Sequence, residues 1–349
     1  MTPLLSRLVL TTSLLGVLLI GGCAGVGAPK AGAPAHHREH GFANPSPGLP
    51  RPGFWTRMRF FSRRIVAATF APRTADYPLV PNDGAALRQR AGTPTVTFVG
   101  HATLLIQLDG VNVLTDPQWS ERASPLSFAG PRRLTPPGLA FEHLPPIHVV
   151  LISHDHYDHL DVETVRRLAL THRPRFLAPL GMKAWFAAIG ITDVEEMDWW
   201  DARRAGDVTL TLVPAQHWGQ RTPWDMNRRL WGGWVVAGRE RRLYFAGDTA
   251  YFDGFKEIAA RLGPFDVAAL PIGAYLPPVI MKPGHLDPGQ ALDAFLDVRA
   301  RAMVPIHFGT FDLADEPLEE PPRLLAKLAG ERRLLERVWI LKHGETRAW

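Results

Sequence analysis

The stretch 147–159 reads IHVVLISHDHYDH and joins an apolar run directly to a cluster of polar side chains. No turn residue separates the run Ile147–Ile152 from this cluster, so the pattern predicts a strand that ends there. Four residues form the pattern H-x-H-x-D-H, namely His154, His156, Asp158 and His159. Imidazole nitrogens and carboxylate oxygens are ligands that Zn²⁺ accepts, so the stretch predicts a metal site.

The spacing within the cluster indicates two adjacent metals rather than one. An extended or tightly turned backbone sends His154 and His156 to one side, while Asp158 and His159 can turn to another. The alternative is a polar, histidine-rich surface loop. That alternative is less favoured, because crowding three imidazoles and a carboxylate together is costly without a cation.

A dinuclear site needs more ligands than one loop supplies, and later strand ends offer them. His217 follows the alternating run 208–214, Asp248 follows RLYFAG, and His307 follows ARAMVPI. Each is the first strong metal ligand after a strand-like segment. This repeated placement predicts a site at one edge of a sheet.

Six blocks in this order resemble the metallo-β-lactamase superfamily: SHDHYDHLD (153–161), PAQHW (214–218), FAGDTAYF (245–252), PIGAYLPP (271–278), MKPGHLDP (281–288) and IHFGTF (306–311). The resemblance is closer still to the branch that contains N-acylphosphatidylethanolamine-hydrolysing phospholipase D. It covers roughly Thr95 to Phe311, and several independent blocks carry it.

The alternation of strand-like and helix-like segments predicts a layered α/β architecture. The resemblance implies its form, an αββα sandwich of two mixed sheets with the dinuclear metal site at one edge. It also implies two Zn²⁺ per chain, with Asp248 as the bridging carboxylate. The ligands it implies are His154, His156 and His217 for the first zinc, and Asp158, His159 and His307 for the second. Iron or manganese would accept the same ligands.

The resemblance further implies a metal-bridging hydroxide that attacks the substrate, with Asp158, Asp248 and His285 as catalytic residues. His285 belongs to a loop that close relatives place over the site, where it either contacts the phosphate or serves as a structural loop histidine. Asp287 precedes a proline and is typical of a helix N-cap, so it is left out of the catalytic set. His101 and Asp116 lie at strand ends and are expected to support the ligands or to form turns.

Composition limits the class of partner. The chain has 349 residues, 46% of them hydrophobic, which is ample for a buried core. Its net charge of +5 is scattered, without the Lys/Arg block of a nucleic-acid-binding arm, so no nucleic-acid partner is predicted. A basic surface favours an anionic substrate, such as a phospholipid or another anionic ester, or a membrane face. The oligomeric state does not follow from the sequence.

The N-terminal region predicts export and anchoring. Residues 1–22 have a charged start, an apolar middle and a small-residue end, as a lipoprotein signal peptide does, and Cys23 is the single cysteine. The stretch IGGC resembles a bacterial lipobox and implies that Cys23 is lipidated; an uncleaved anchor and an ordinary signal peptide are the alternatives. The expected location is the bacterial cell envelope, at the outer membrane facing the periplasm in a Gram-negative cell.

These boundaries define four regions: the signal 1–22, a flexible tether 23–52, an N-terminal extension 53–94 and the hydrolase domain 95–349. The tether is rich in Gly, Pro and Ala, and its His36, His37 and His40 are expected to do nothing specific.

Three segments have open interpretations. The segment 54–70 alternates aromatic and arginine residues, which predicts either a membrane-surface helix or a helix docked on the domain with its arginines in water. The Pro-rich stretch 119–139 predicts a loop over the site or a peripheral excursion. Trp224 and Trp231 either line an acyl-chain groove or simply pack.

The leading hypothesis is a membrane-anchored dizinc phospholipase D that cleaves N-acylphosphatidylethanolamine to an N-acylethanolamine and phosphatidic acid. Its substrate rests on the resemblance alone. The alternative within enzymes is a metal-dependent lactonase or phosphodiesterase acting on a small soluble substrate. The alternative of another class is a non-catalytic envelope lipoprotein.

Overall fold

Two β-sheets pack face to face and place helices on their outer faces, as the computed structural model of residues 27–89 and 92–349 describes. One sheet has seven strands in the order β15-β3-β4-β5-β6-β7-β8, and the other has six in the order β14-β13-β12-β11-β10-β9. The strands are β1 (His37–Arg38), β2 (Gly41–Phe42), β3 (Thr95–Gly100), β4 (Thr103–Leu108), β5 (Val111–Thr115), β6 (Val149–Leu151), β7 (Arg175–Pro179), β8 (Val194–Met197), β9 (Ala202–Ala205), β10 (Val208–Val213), β11 (Gly233–Ala237), β12 (Arg242–Phe245), β13 (Phe265–Pro271), β14 (Ala300–Ile306) and β15 (Thr346–Ala348).

The helices lie between these strands in the chain. They are α1 (Phe54–Phe70), α2 (Ala85–Gln89), α3 (Val162–Thr171), α4 (Lys183–Ala188), α5 (Gly254–Leu262), α6 (Pro278–Met281), α7 (Pro288–Asp297) and α8 (Glu320–Glu331), with short 3₁₀ turns at Phe141–His143 and Leu335–Arg337. The predicted signal 1–22 and Cys23 lie outside the described residues.

Successive residues of the central strands are buried on both faces of their sheet. Leu104 and Ile106 of β4 belong to the core between the sheets, which includes Trp234 of β11. Leu105 belongs to a second core, beneath α3 and α4. Because side chains alternate along a strand, one strand of apolar residues fills both cores. The predicted αββα sandwich is confirmed.

Strand direction brings several strand ends to one edge. β5 runs parallel to β6, and β3 is antiparallel to β4, which is antiparallel to β5, so β3, β5 and β6 point the same way. In the other sheet β12, β13 and β14 are parallel. β10 shares their direction, because two antiparallel pairings separate it from β12. The predicted metal ligands follow the carboxyl ends of these strands.

Local sequence accounts for several turns and caps. Asp109 and Gly110 both have positive φ angles, 48° and 78°, in the tight turn between β4 and β5. Asp161 caps α3 by accepting a hydrogen bond from the Glu163 N–H. Asp287 forms a capping box with Gln290 at the start of α7, as expected of an N-cap rather than a catalytic residue.

The segment 27–52 is held against the domain in the described part of the chain, whereas the sequence predicts a flexible tether there. His36 and His37 each direct Nε2 to a different oxygen of Asp198, at 2.6 and 2.7 Å. The His36 ring stacks on Trp199 with centroids 4.1 Å apart. The composition of this segment gives no sign of these contacts, because their partners lie about 160 residues further along the chain.

Helix α1 docks on the loop that follows β14. Its buried residues are Phe60, Arg64 and Ala68. Docking agrees with one of the two interpretations, but the expectation that its arginines face water is wrong for Arg64. The Arg64 guanidinium pairs with the Asp312 carboxylate, which Arg73 Nε also contacts at 2.9 Å. A buried carboxylate between two guanidiniums explains why an arginine turns inward.

The stretch 119–139 lies alongside the same loop. The Leu134 N–H donates to the Thr310 carbonyl at 2.8 Å, and Thr135 Oγ1 donates to the Gly309 carbonyl at 2.8 Å. Arg133 Nη2 donates to the Gln118 carbonyl at 2.6 Å. These bonds fix the stretch beside the segment after His307.

Trp231 is fully buried, and its Nε1–H donates to the Ala215 carbonyl at 2.9 Å. It therefore packs in the core, and its proposed place in an acyl-chain groove is wrong. Trp224 is 59% exposed in a turn. Within the described residues, every helix is too short or too polar to cross a bilayer.

Asp312→Asn should destabilise the fold, because it leaves the buried Arg64 with only the more distant Asp315 carboxylate, at 3.7 Å, as a counter-charge. Removing one partner of a buried ion pair costs about 3–5 kcal/mol, so the free energy of unfolding should fall by about that amount in urea titration. The matched control is Glu121→Gln, which removes the exposed ion pair with Arg132 and should cost no more than about 1 kcal/mol. Equal losses in both variants would contradict this account of α1 docking.

Candidate metal centre

The seven predicted ligands form one buried cluster at the shared edge of the two sheets. His154, His156 and His217 are the first group, with His156 Nδ1 2.9 Å from His154 Nε2 and 3.3 Å from His217 Nε2. In the second group, Asp158 Oδ2 lies 3.4 Å from both His159 Nε2 and His307 Nε2. The structure thus divides the residues into the two groups that the resemblance implies.

Asp248 lies between the two groups. Its Oδ2 is 3.0 Å from His307 Nε2 and 3.3 Å from His159 Nε2 in one group. In the other group, the same oxygen is 3.8 Å from His217 Nε2 and 3.9 Å from His154 Nε2. This is where a carboxylate that bridges two cations would have to lie.

Short loops with unusual backbone angles deliver these side chains. Gly247, directly before Asp248, has a φ of 60°, and a Cβ there would lie 2.6 Å from Ser153 Cβ. Only glycine allows the β12 end to approach the β6 end this closely. His307 itself has a φ of 62°, a conformation that side chains rarely adopt and that surrounding contacts must stabilise. Its N–H donates to the His101 carbonyl at 2.8 Å.

Neighbouring polar groups set the orientation of the second group. The Asp116 carboxylate lies 2.7 Å from His159 Nδ1, which leaves His159 Nε2 facing the cluster. Asp116 also accepts from the Ser153 N–H at 2.7 Å. His101 Nε2 lies 2.9 Å from Asp158 Oδ2. His101 and Asp116 occupy the supporting positions that the sequence predicts, and such partners orient metal ligands.

The first group is oriented from outside the hydrolase region. Asn44 uses both ends of its amide on the backbone of His217: Nδ2 donates to the His217 carbonyl and Oδ1 accepts from the His217 N–H, each at 2.9 Å. His217 Nδ1 donates to the Gly284 carbonyl at 2.8 Å, so Nε2 faces the cluster. Gly284 must be glycine, because a Cβ there would lie 2.2 Å from the Trp218 ring.

Residues between the ligands point away from the cluster. Asp155 is fully buried and accepts from Arg229 Nε at 2.5 Å. The Tyr157 hydroxyl donates to the Arg221 carbonyl at 2.8 Å, and the Arg221 guanidinium lies over the Tyr157 ring. The intervening side chains thus anchor the loop to two arginines, while His154 and His156 lie in one group and Asp158 in the other, as expected.

His285 lies over the cluster. Its ring is buried, with Nε2 3.5 Å from Asp248 Oδ2 and Nδ1 3.2 Å from the Met281 carbonyl. Trp218, which is half-buried, has its ring centroid 5.0 Å from that of His156 and 5.6 Å from that of His285. Trp218 is not among the residues that the sequence predicts for the site, although it directly follows a predicted ligand in PAQHW.

Burial and charge give the two groups opposite proton affinities. Burial, reinforced by neighbouring imidazoles, holds the pKa of His154 well below its ordinary value. Burial lowers the pKa of His217 in the same direction. Burial would also lower the pKa of His307, but Asp248 and Asp158 raise it to about 9. The first group therefore offers free imidazole lone pairs, and the second retains a proton that a cation would displace.

The residues present fit a metal centre. His159 Nε2 and Asp248 Oδ1 are buried and have no hydrogen-bond partner among the described residues. Burial would raise the pKa of Asp248, but His307 and His159 hold it well below its ordinary value, so the carboxylate is charged. Unpaired buried nitrogens around a buried carboxylate are stabilised when a cation binds between them. Nitrogen and oxygen donors suit zinc, iron and manganese alike.

A second cluster of ligand types lies outside this centre, in His36, His37 and Asp198. Its nitrogens and oxygens are already paired with one another. His40 is exposed. In the described structure His36 and His37 hold the segment 27–52 against the domain and are not part of the metal centre.

The fold and the cluster together define a metal-dependent hydrolase with an αββα sandwich. Residues 111–308 match the beta-lactamase superfamily domain, and the chain belongs to the metallo-β-lactamase superfamily. N-acyl-phosphatidylethanolamine-hydrolyzing phospholipase D 1 of Caenorhabditis elegans is 44% identical over 252 residues, which cover 69% of this chain and 71% of that protein. The predicted family is confirmed.

Further matches agree with this assignment. An uncharacterized protein of Mycobacterium tuberculosis is 39% identical over 305 residues, covering 85% of this chain and 80% of that protein. Among solved structures, a metallo hydrolase of the archaeon Ignicoccus hospitalis superposes with a TM-score of 0.57 at 21% identity, covering 74% of this chain and 98% of that one. At this identity the structure supports the fold alone.

Asn44→Ala should weaken metal binding by the first group. Partners that orient ligands typically contribute roughly 10–100-fold to metal affinity. This variant removes the acceptor of the His217 N–H and leaves the His217 carbonyl with only the 3.4 Å bond from Arg51. The measurement is competition with a chromogenic chelator, combined with metal content by mass spectrometry.

Two control variants isolate the amide. His40→Ala changes an exposed residue of the same segment and should bind metal as the unchanged chain does. Asn44→Asp keeps an acceptor for the His217 N–H but loses the Nδ2 donor, so its affinity should lie between the two. Wild-type affinity in Asn44→Ala would show that His217 needs no such support.

Proposed function

We propose that this chain is a phospholipase D-type phosphodiesterase that hydrolyses N-acylphosphatidylethanolamine to an N-acylethanolamine and phosphatidic acid. The observation that carries the substrate assignment is the 44% identity to a relative named for that reaction, over 69% of this chain. A yeast protein named as a mitochondrial N-acyl-phosphatidylethanolamine-hydrolyzing phospholipase D adds support at 31% identity over 72% of this chain, although the match covers only 55% of that protein.

The metals belong to the proposal. His154, His156 and His217 would hold one Zn²⁺; Asp158, His159 and His307 would hold the other; Asp248 would bind both. When bound, the two cations supply charge that lowers the pKa of a water molecule and neutralises a phosphodiester. Support comes from the division of the donors into two groups and from the place of Asp248 Oδ2 between them.

The chain's own residues prepare the reaction. Burial of most of the cluster lowers the local dielectric constant, which strengthens electrostatic interactions within it. In the proposed reaction a bond forms between a water oxygen and phosphorus, and the bond from phosphorus to the ethanolamine oxygen breaks. That oxygen leaves as an alkoxide and must gain a proton.

In this proposal His285 supplies that proton. Its Nδ1 donates to the Met281 carbonyl, and this bond directs Nε2 towards Asp248 and the cluster. An imidazole held in this way carries a proton at Nε2 when protonated and delivers it to the leaving oxygen. Trp218 packs edge-on beside His285, with the ring centroids 5.6 Å apart.

Anchoring is part of the same proposal. Lipidated Cys23 would hold the enzyme in the bacterial envelope, at the periplasmic face of the outer membrane in a Gram-negative cell. A membrane-bound enzyme would share the surface on which a phospholipid substrate lies.

Asp248→Asn should abolish turnover of N-acylphosphatidylethanolamine. Removing a residue that only hydrogen-bonds a metal ligand already lowers metal affinity or activity roughly 10–100-fold. Asp248 would bind both metals directly, so the rate should fall by more than about 100-fold. Release of phosphatidic acid from mixed micelles is the measurement. If the unchanged chain binds two metals and hydrolyses soluble lactones or cyclic phosphodiesters but not the lipid, its substrate is a small soluble ester. If the chain purified in the presence of zinc contains no metal, the proposed mechanism is wrong.

His285→Gln should lower kcat by about 10²–10⁴-fold, the usual contribution of a general acid, with metal content unchanged. A substrate whose leaving group is a nitrophenolate needs no proton, so its hydrolysis should lose far less. His143→Gln, at an exposed histidine outside the cluster, is the matched control. If both substrates lose rate equally, His285 orients the site and does not donate a proton.

A further inference from the structure

The outer face of α1 is apolar although it faces solvent. Trp55 is 77% exposed, Phe70 is 82% exposed, and Ile65 and Val66 are each about half exposed. At 3.6 residues per turn, Trp55, Val66 and Phe70 fall within about 60° of one another, opposite the buried residues of the helix. Single exposed apolar residues are ordinary, but a row of them along a helix is typical of an interaction surface.

The apolar surface continues onto a neighbouring loop. The Gly130 N–H donates to Thr69 Oγ1 at 2.9 Å, which ties the loop 124–130 to the last turn of α1. Phe128 in this loop is 73% exposed and Leu126 is 40% exposed. We call α1 and this loop together the apolar face.

The apolar face carries positive charge. Helix α1 contains four arginines and no acidic residue. Arg59 is exposed, and Arg63 is 55% exposed while pairing with Asp315 at 2.5 Å. Arg59 lies within the apolar row, and a long arginine side chain can extend to the headgroups while its apolar neighbours contact the acyl boundary of a membrane.

The inner side of α1 contacts the rim of the metal centre. Arg64 binds Asp312, five residues after His307. Phe60 packs in one cluster with Met281, whose carbonyl binds His285. The apolar face and the centre therefore share the short segments that connect them.

We propose that the apolar face docks on a lipid bilayer with anionic headgroups. Charge complementarity favours a bilayer over a second copy of this chain, because two copies would bring exposed arginines together. Docking does not depend on which ester the centre hydrolyses. Its use, to present a membrane lipid to the centre, rests on the proposed function.

The single cysteine allows a local test in the full chain. In a Cys23→Ser background, Val66→Cys carries an environment-sensitive nitrobenzoxadiazole label on the apolar face, and Phe128→Cys carries it on the loop. With vesicles of phosphatidylcholine and phosphatidylglycerol, both labels should brighten and shift to shorter wavelength. Leu170→Cys is the matched control: Leu170 is an isolated residue of α3, 78% exposed, and its label should not respond.

Two more variants distinguish the contribution of positive charge to docking from the contribution of the metal centre to hydrolysis. Arg59→Gln should weaken docking about fivefold, since each arginine near an anionic surface contributes ~1 kcal/mol, and salt should weaken it further. Asp248→Asn should dock as the unchanged chain does, so loss of hydrolysis and loss of docking are distinguishable. If the labels at positions 66 and 128 do not respond to vesicles, the proposal is wrong. Labels that brighten with protein concentration in the absence of lipid identify a contact between copies and overturn it as well.

Discussion

The structure depends on one electrostatic constraint, the burial of Asp248 among imidazoles. A charged carboxylate leaves water only where positive charge or hydrogen-bond donors surround it. Its oxygen lies within 4 Å of four imidazole nitrogens, which come from the ends of three other strands. Those ends reach one place because the strands that carry them run in one direction within each sheet. The sandwich is thus arranged around a site where a cation replaces protons.

The sequence predicts the donors of this site well, because strand ends and ligand types are both visible in it. His217, Asp248 and His307 each follow an apolar run, and parallel strands bring such positions together. The supporting residues are partly visible. Asp116 and His101 stand at strand ends, so their contacts with His159 and Asp158 agree with expectation. Nitrogen and oxygen donors bind several cations, so the residues do not specify which metals are bound or how many. Measurement of the metal content decides both.

The parts that the sequence did not predict rest on contacts between distant segments. Asn44 lies in a stretch with the composition of a linker, yet its amide pairs with the backbone of His217, 173 residues away. Arg64 has the pattern of a solvent-facing residue, and its burial is explained by its carboxylate partners Asp312 and Asp315. Trp231 was a candidate for a groove, but a position inside the sheet core decides its role. The spacing of apolar residues shows which face of a helix or strand is buried, but it does not show which distant segment packs against that face.

The link between Asn44 and His217 also concerns the order of folding. Contacts of long sequence separation form late, because loop closure costs entropy before the contact compensates for it. β15 adds a second such contact, since it pairs with β3 about 250 residues earlier. The strands that carry the metal ligands can therefore collapse before the segment that steadies His217 arrives. Until that segment docks, the first group lacks the two hydrogen bonds that orient His217, so it should hold a cation less tightly than in the complete fold.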